Sequence, residues 1–456
     1  MENIYFQALG CRLNEAELEQ WQRLAPDHGY QLTGDVAAAD VIVVNTCAVT
    51  GEAARKSRKL ANRLHRQSGS LGTRPAMLVV TGCLASIDPK SILENTGADM
   101  VLPNMDKDRL FERLAMQRSL PADPRELAIE KPLTTQHESK NATAAQEVAP
   151  SIRTRAFIKV QDGCRNRCSF CIVTVARGEE RSLAVGDVID EINQRAAEGI
   201  QEVVLSGVHL GGYGSDIGTD LKSLMQSVLA HTDVPRIRLS SLEPWDLPDD
   251  FFSLWDNPRL CPHLHLPIQS GSDRILKRMA RRSLRDDFLS LVRQARERIP
   301  NLCISTDIIV GFPGEDESDF DQSLSLCDEA RFHHAHIFSY SRREGTAAGR
   351  MSGQVDSAVK KDRSKRLHAH VNTIANAVLS EFIGTTQRVL WEKQVSKTNP
   401  NASDSVDGEV QWTGLSENYL RCVINTPKDA STTLANTVTP VMMQHHERSI
   451  FSVKPY

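Results

Sequence analysis

Three cysteines stand within eight residues of QDGCRNRCSFCIV, spaced Cys164-x3-Cys168-x2-Cys171, and no other feature of the chain narrows its possibilities as far. Soft thiolates select iron-sulfur clusters, zinc or copper(I). Zinc would need a fourth ligand, and the nearest downstream histidine, His209, lies well outside the segment. The bacterial ferredoxin run has a different spacing. Three protein ligands on a four-iron cluster leave one iron open, where a substrate can bind. Three adjacent free thiols without a metal would be a reactive liability.

A second triplet is dispersed. Cys11, Cys47 and Cys83 recur at intervals of 36 residues, each directly after an apolar run: IYFQALGC, VIVVNTC and MLVVTGC. Strands of one parallel sheet end on a common edge, so these cysteines can converge outside it. Gly10 and Gly82 permit close turns, and Asn45 and Thr46 are candidate hydrogen-bond donors near the sulfurs. A second three-cysteine, four-iron cluster is expected. The remaining cysteines, Cys261, Cys303, Cys327 and Cys422, lie in strands or an apolar helix and read as buried small hydrophobes. His333, His334, His336, His445 and His446 read as strand-surface residues.

A length of 456 residues suggests about three domains, and 40% apolar with 25% charged residues excludes a disordered or fibrous chain. No window approaches the ~18 apolar residues of a membrane span, and MENIYFQALG lacks the charged head and apolar stretch of a signal peptide. A cytoplasmic, membrane-free α/β protein is expected, whose compartment disfavours disulfides. Short apolar runs at 4–9, 41–46, 77–82 and 100–104 predict a parallel-sheet domain over 1–117. Residues 118–152 read as a linker. Strand candidates at 157–162, 202–207, 236–241, 263–268, 303–311 and 334–340 predict a partial, six-stranded TIM-like barrel over 153–383, closed by a helix at 354–383. Five β-prone runs over 384–456 predict a small β-barrel.

A Cys-x3-Cys-x2-Cys loop after the first strand of such a barrel resembles the radical S-adenosylmethionine superfamily. There the open iron chelates the amino and carboxylate groups of S-adenosylmethionine, and reductive cleavage yields a 5′-deoxyadenosyl radical. Together with LGCRLNEAE (9–17), VVNTCAVT (43–50), TGCLA (81–85), ARGEERS (176–182), LSGVHLGGYG (205–214), RLSSLEP (238–244), HLPIQSGSDRILKRMAR (265–281) and TDIIVGFPGE (306–315), the whole chain resembles the methylthiotransferases, with a C-terminal segment like their TRAM domain. The resemblance implies two 4Fe-4S clusters: Cys164, Cys168 and Cys171 for radical generation, and Cys11, Cys47 and Cys83 for the sulfur to be transferred. It implies S-adenosylmethionine as both methyl donor and radical source, with Gly207, Gln269, Asp307 and Val310 as contact candidates and no catalytic residue beyond the cluster ligands.

LGCRLN and SGVHLGGYG look like the branch acting on N6-threonylcarbamoyladenosine in tRNA; a ribosomal-protein enzyme would more typically read LGCPKN. That branch implies 2-methylthio transfer at position 37, in the anticodon loop, and an electron donor such as flavodoxin or ferredoxin. The alternatives are the isopentenyladenosine or ribosomal-aspartate branches, or an RNA-binding iron-sulfur sensor. One departure is local: the family shows Ile-Pro-x-x-Arg-Gly after its third cysteine, and here Val173-Thr174-Val175-Ala176-Arg177-Gly178 has no proline.

The net charge of −4 offers no global attraction for RNA, so local patches must supply it. Residues 51–74 carry seven Lys or Arg against one Glu, 274–298 nine against three acids, and 350–370 six against two. Trp412, Tyr419 and Arg421 are candidates for stacking or steering, although Trp412 better suits a core.

Overall fold

The computed structural model describes residues 1–68, 76–119, 154–395, 409–427 and 433–455. From residue 120 on, the expected linker lies outside the described residues, as does Arg74. The chain divides into two compact units. Met1–Gly10, Leu18–Ala48 and Glu52–Ile152 form the first, and Cys11–Glu17, Val49–Gly51 and Arg153–Tyr456 the second.

In the first unit β1 (Glu2–Ala8), β2 (Tyr30–Leu32), β3 (Val41–Thr46), β4 (Met77–Gly82) and β5 (Met100–Leu102) form a parallel sheet in the order β2-β1-β3-β4-β5. The sequence pattern revealed four of these strands. It missed β2, Tyr30-Gln31-Leu32, whose polar centre leaves no apolar run to read, unlike the equally short Met-Val-Leu of β5. From β1 the chain steps to β2 on one side and then to β3 on the other. The resulting reversal between β1 and β3 is where open α/β sheets bind ligands, beyond the carboxyl ends of the strands. All six residues of β3 are buried, as a strand covered on both faces must be.

The second unit contains β6 (Arg155–Lys159), β7 (Gln161–Asp162), β8 (Arg181–Ser182), β9 (Glu202–Ser206), β10 (Arg236–Leu239), β11 (His263–His265), β12 (Cys303–Val310) and β13 (His334–Ser339). Parallel sheets β6-β9-β10 and β11-β12-β13 are joined by single bridges such as Ser241 to His265. The six barrel strands thus follow one another in sequence order, from β6 at one end to β13 at the other. Ile192, Leu224, Phe288 and Leu326 from the intervening helices share one apolar core with Ile158, Leu205, Ile237 and Ile308 of the strands. A long helix, Ser357–Ser380, follows β13 as expected.

Strands β14 (Thr386–Val395), β15 (Glu409–Ser416), β16 (Arg421–Pro427), β17 (Val438–Glu447) and β18 (Ile450–Pro455) close into the expected small barrel, ordered β14-β15-β16-β18-β17. Trp412 and the fully buried Trp391 pack in its core. This barrel meets the amino ends of the radical-barrel strands. Buried Glu202 accepts from Arg238 at 2.9 Å and pairs with Arg236 at 2.8 Å, while Arg236 donates to the Leu415 carbonyl and Arg238 to that of Ser416.

Candidate metal centres and RNA-facing surface

The loop with the compact triplet is closed at its base by β7 pairing with β8. Gly163 turns it with φ of +73°, and a Cβ there would stand 1.9 Å from the Glu179 carbonyl oxygen. The Cys164 amide donates to the Gly178 carbonyl at 3.1 Å, and the Cys171 amide to that of Cys168 at 3.0 Å. The family proline, counted back from Arg177-Gly178, falls at Thr174. There the hydroxyl donates to the Asn166 carbonyl at 3.1 Å and ties the loop across itself.

Burial pushes the Cys164 thiol up to about 12 and Cys171 to about 11, and each feels the negative charge that Cys168 would carry. Three clustered thiols that resist ionisation on their own fit a cationic iron-sulfur group, which would stabilise them as thiolates. Arg281 donates to Cys168 Sγ at 3.7 Å, pairs with Glu243 at 2.5 Å and stacks on Trp245, 4.3 Å from the ring centre. Sequence reasoning quoted the Arg281 segment without seeing this role, because the contact spans 113 positions.

His209 needs a correction: distant in sequence, it is adjacent in space. Its ligand atoms and those of Cys164 and Glu180 lie within 4.8 Å of one another. Buried His209 sits between Glu180 and Asp246, each at 2.5 Å. Burial opposes its charge, but the bonds to Asp246 and Glu180 raise its pKa above the ordinary histidine value. A Cβ on Gly212 would stand 2.5 Å from this ring, so the Gly-Gly pair leaves room for it.

In the dispersed triplet, Cys47 and Cys83 stand one residue beyond the register pair Thr46–Gly82. Both are buried, and Cys11, three residues past β1, is exposed. Gly82 has φ of +96°, and a Cβ there would lie 2.4 Å from the Thr46 carbonyl oxygen. The Thr46 hydroxyl bonds the Thr81 carbonyl. Asn104 donates to Cys83 Sγ at 3.7 Å. The Ser57 hydroxyl holds both the amide and the carbonyl of Cys47. All ten cysteines are free, and the other four are buried, although Cys261 lies in a connection rather than a strand.

Within the second unit, buried Arg177 pairs with Glu17 at 3.0 Å and Asp162 at 2.9 Å and donates to Asn14 at 2.7 Å. It thereby joins LGCRLNEAE to ARGEERS, two motifs that the sequence displays far apart.

Of the four cofactor-contact candidates, Gly207 follows β9 under the Gln161 side chain. Gln269 holds a left-handed backbone, φ of +79°, rare for a residue with a Cβ, and its carbonyl accepts from the Ile309 amide of β12. Asp307 faces His265 at 3.3 Å. Val310 turns its side chain into the core, and its carbonyl accepts from the Tyr340 amide. His334 and His336 are exposed on β13, as expected, but His333 is buried and bonds the Ile304 carbonyl. Tyr419 is also engaged, stacked on His263 and covered by Arg238.

Each basic run carries ion pairs: Lys56 with Glu52 and Arg58 with Asp88 in 51–74, Arg274, Arg281, Arg285 and Arg298 with acids in 274–298, and Arg363 and Arg366 in 350–370. The helix Gly51–Ser68 exposes Arg55, Lys59, Arg63 and Arg66 at i, i+4, i+8 and i+11, on one face. With Gln7, Ala8 and Leu9 they line an open groove of about 930 Å³. Among the described residues no helix is long and apolar enough to cross a membrane.

Residues 158–327 match the family model of the Radical SAM superfamily, and residues 3–103 that of Uncharacterized protein family UPF0004. The chain is 33% identical to the threonylcarbamoyladenosine tRNA methylthiotransferase MtaB of Bacillus subtilis, across 94% of this chain and 92% of that one. It is 34% identical to a tRNA-2-methylthio-N(6)-dimethylallyladenosine synthase of Staphylococcus aureus, across 85% of this chain and 75% of that one. In fold it is similar to the radical S-adenosylmethionine methyltransferase TsrM of Kitasatospora setae, with a TM-score of 0.56 at 16% identity over 76% of this chain and 77% of that chain. Both cysteine-bearing regions and nearly the full length are thus shared, and the chain belongs to the radical S-adenosylmethionine methylthiotransferase family.

Proposed function

We propose that this methylthiotransferase acts on tRNA and converts N6-threonylcarbamoyladenosine at position 37, beside the anticodon, to its 2-methylthio derivative. The observation that carries the reading is the 33% identity to the Bacillus subtilis enzyme of that name, which covers 94% of this chain and 92% of that one. In this reading residues 1–117 hold the sulfur, 153–383 house the radical chemistry, and 384–456 form a TRAM-like, RNA-facing barrel.

Cys164, Cys168 and Cys171 would hold one 4Fe-4S cluster and Cys11, Cys47 and Cys83 the other, supplying with S-adenosylmethionine the one-electron chemistry that an unactivated aromatic C–H bond demands. The chain's own residues position and shield. Gln269 and Asp307 would bind the cofactor through side chains, Gly207 and Val310 through backbone. Arg281 steadies Cys168. The Arg55, Lys59, Arg63 and Arg66 stripe would take tRNA phosphates, which fix register while contacts to the unstacked base choose the substrate. A donor such as flavodoxin or ferredoxin would supply electrons, in a cytoplasm reducing enough to keep the cysteines free.

The similarity to the dimethylallyladenosine synthase favours isopentenyladenosine as the second reading. Mass spectrometry of tRNA nucleosides from a deletion strain decides. Loss of 2-methylthio-N6-threonylcarbamoyladenosine alone is expected; loss of the isopentenyl derivative would move the substrate. If both persist, the protein is not a tRNA methylthiotransferase of either kind. Anaerobic reconstitution should give about eight irons per chain, falling to about four when either triplet is replaced by alanine.

A further inference from the structure

The buried cations of the second unit are matched with carboxylates: Arg177 with Glu17 and Asp162, Arg236 and Arg238 with Glu202, Arg155 with Glu392. Arg12 is different. It directly follows Cys11 and is half-buried, with its guanidinium 5.8 Å from the Phe157 ring centre and 5.2 Å from that of Tyr419. Its Nη2 donates to the Tyr419 hydroxyl, and no carboxylate lies within ion-pair distance among the described residues. Asp307, the nearby acid on β12, is faced by His265 instead.

A cation partly withdrawn from water without a counter-charge is costly, and a guanidinium held between aromatic faces keeps its remaining N–H donors in a fixed fork. Such a fork suits a ligand with two coplanar oxygens. Burial first, and the charge of Arg12 after it, disfavour protonation of His263 and His336, so these imidazoles do not compete for an anion.

We infer that Arg12 is the carboxylate-binding residue of the substrate pocket and takes the threonyl carboxylate carried on N6 of the target base. The inference rests on the threonylcarbamoyladenosine reading above and deepens it. A sulfur delivered to C2 from a group held by Cys11 brings the same base's N6 substituent into the neighbourhood of the next residue. The isopentenyl substituent has no charge, so an unmatched cation would be desolvated against it for no return, which rejects the wrong base as well as holding the right one.

The test is equilibrium binding of the reconstituted protein, without turnover, to anticodon stem-loop RNAs carrying N6-threonylcarbamoyladenosine, its carboxylate methyl ester, isopentenyladenosine or unmodified adenosine. Wild type should bind the free carboxylate roughly 10- to 100-fold tighter than the ester. Arg12→Gln should erase that preference while binding unmodified RNA as wild type does, and Arg12→Lys should keep part of it. Tyr419→Phe, which removes one guanidinium contact and no charge, should reduce the preference about threefold and keeps the test valid if Arg12→Gln misfolds. A preference that survives in Arg12→Gln overturns the inference, as does uniform weakening across all four RNAs, which would place a phosphate on Arg12. Equal tight binding of the carboxylate and its ester, above the other two RNAs, overturns the role of Arg12 and leaves the substrate reading standing. Preference for the isopentenyl RNA overturns both.

Discussion

The loop of Cys164, Cys168 and Cys171 is closed on itself by short-range backbone bonds and anchored at Ser169 to Arg278, Met279 and Ala348, whereas Cys47 and Cys83 are held by the ladder between β3 and β4. In the loop, amides of Cys164 and Cys171 bond carbonyls at most 14 residues away, and one glycine makes the closure possible. In the sheet, each cysteine owes its place to strand register and to side chains from elsewhere, Ser57 and Asn104. A locally folded ligand set should fail locally, while a set placed by topology should fail together with its domain.

The largest effects should come from the two glycines. Gly163→Ala places a Cβ on the Glu179 carbonyl at positive φ, and Gly82→Ala places one on the Thr46 backbone. Each should cost the iron of its own triplet, lowering content to about half. Gly82→Ala should in addition destabilise the first unit by about 3 kcal/mol or more, since the strain falls on the β3–β4 ladder. Iron assay and urea unfolding of both variants separate the cases. Equal destabilisation by the two would erase the contrast.

Next in size is Arg177→Met, which removes the cation hydrogen-bonded to Glu17 and Asp162 and leaves Lys159, at 3.8 and 3.3 Å, to face both carboxylates. The expected loss is about 2–3 kcal/mol in the second unit. Adding Glu17→Gln should recover part of it, because two buried carboxylates then share one remaining buried cation. A cost below about 1 kcal/mol in urea titration would show that Arg177 does not tie the Cys11 segment to the loop.

How legible this was in the sequence follows the same division. The compact triplet is a contiguous string, and the six barrel strands and five C-terminal strands carry apolar runs long enough to read. β2, Tyr30-Gln31-Leu32, carries no apolar run, and with it went the strand-order reversal between β1 and β3. His209 beside Cys164, Arg281 on Cys168 and Asn104 on Cys83 are contacts between separate elements that no local pattern encodes. Charge counts overstate all three basic runs, since acids that pair with Arg58, Arg274, Arg285, Arg298 and Arg363 lie outside the counted windows.

Acid should strike the scaffold of the loop triplet through Glu202. Burial alone would raise its pKa, but Arg238 and Arg236 more than offset that and hold it at about 2, against an ordinary 4.5. Its contribution, on the order of 3 kcal/mol, is complete above about pH 5 and is lost as pH falls through 4.5 toward 2. Wild type should therefore exceed Glu202→Gln in stability at pH 7, with the gap closing between pH 5 and 2. A gap that stays constant over that range would mean the arginines do not hold Glu202 ionised.

The smallest effect sharpens the comparison most directly. Thr174 stands where the family has proline, and its hydroxyl bond to the Asn166 carbonyl spans the loop. Proline would rigidify by fixing φ; threonine achieves closure with one hydrogen bond, worth about 1 kcal/mol. Thr174→Val, similar in shape, should speed loss of the loop cluster to a chelator about fivefold, and Thr174→Ser should not. Iron held by the sheet triplet should leave at an unchanged rate in both variants. Parallel acceleration of the two phases would show that the Arg177 tie between the Cys11 segment and the loop carries the disturbance to the second ligand set.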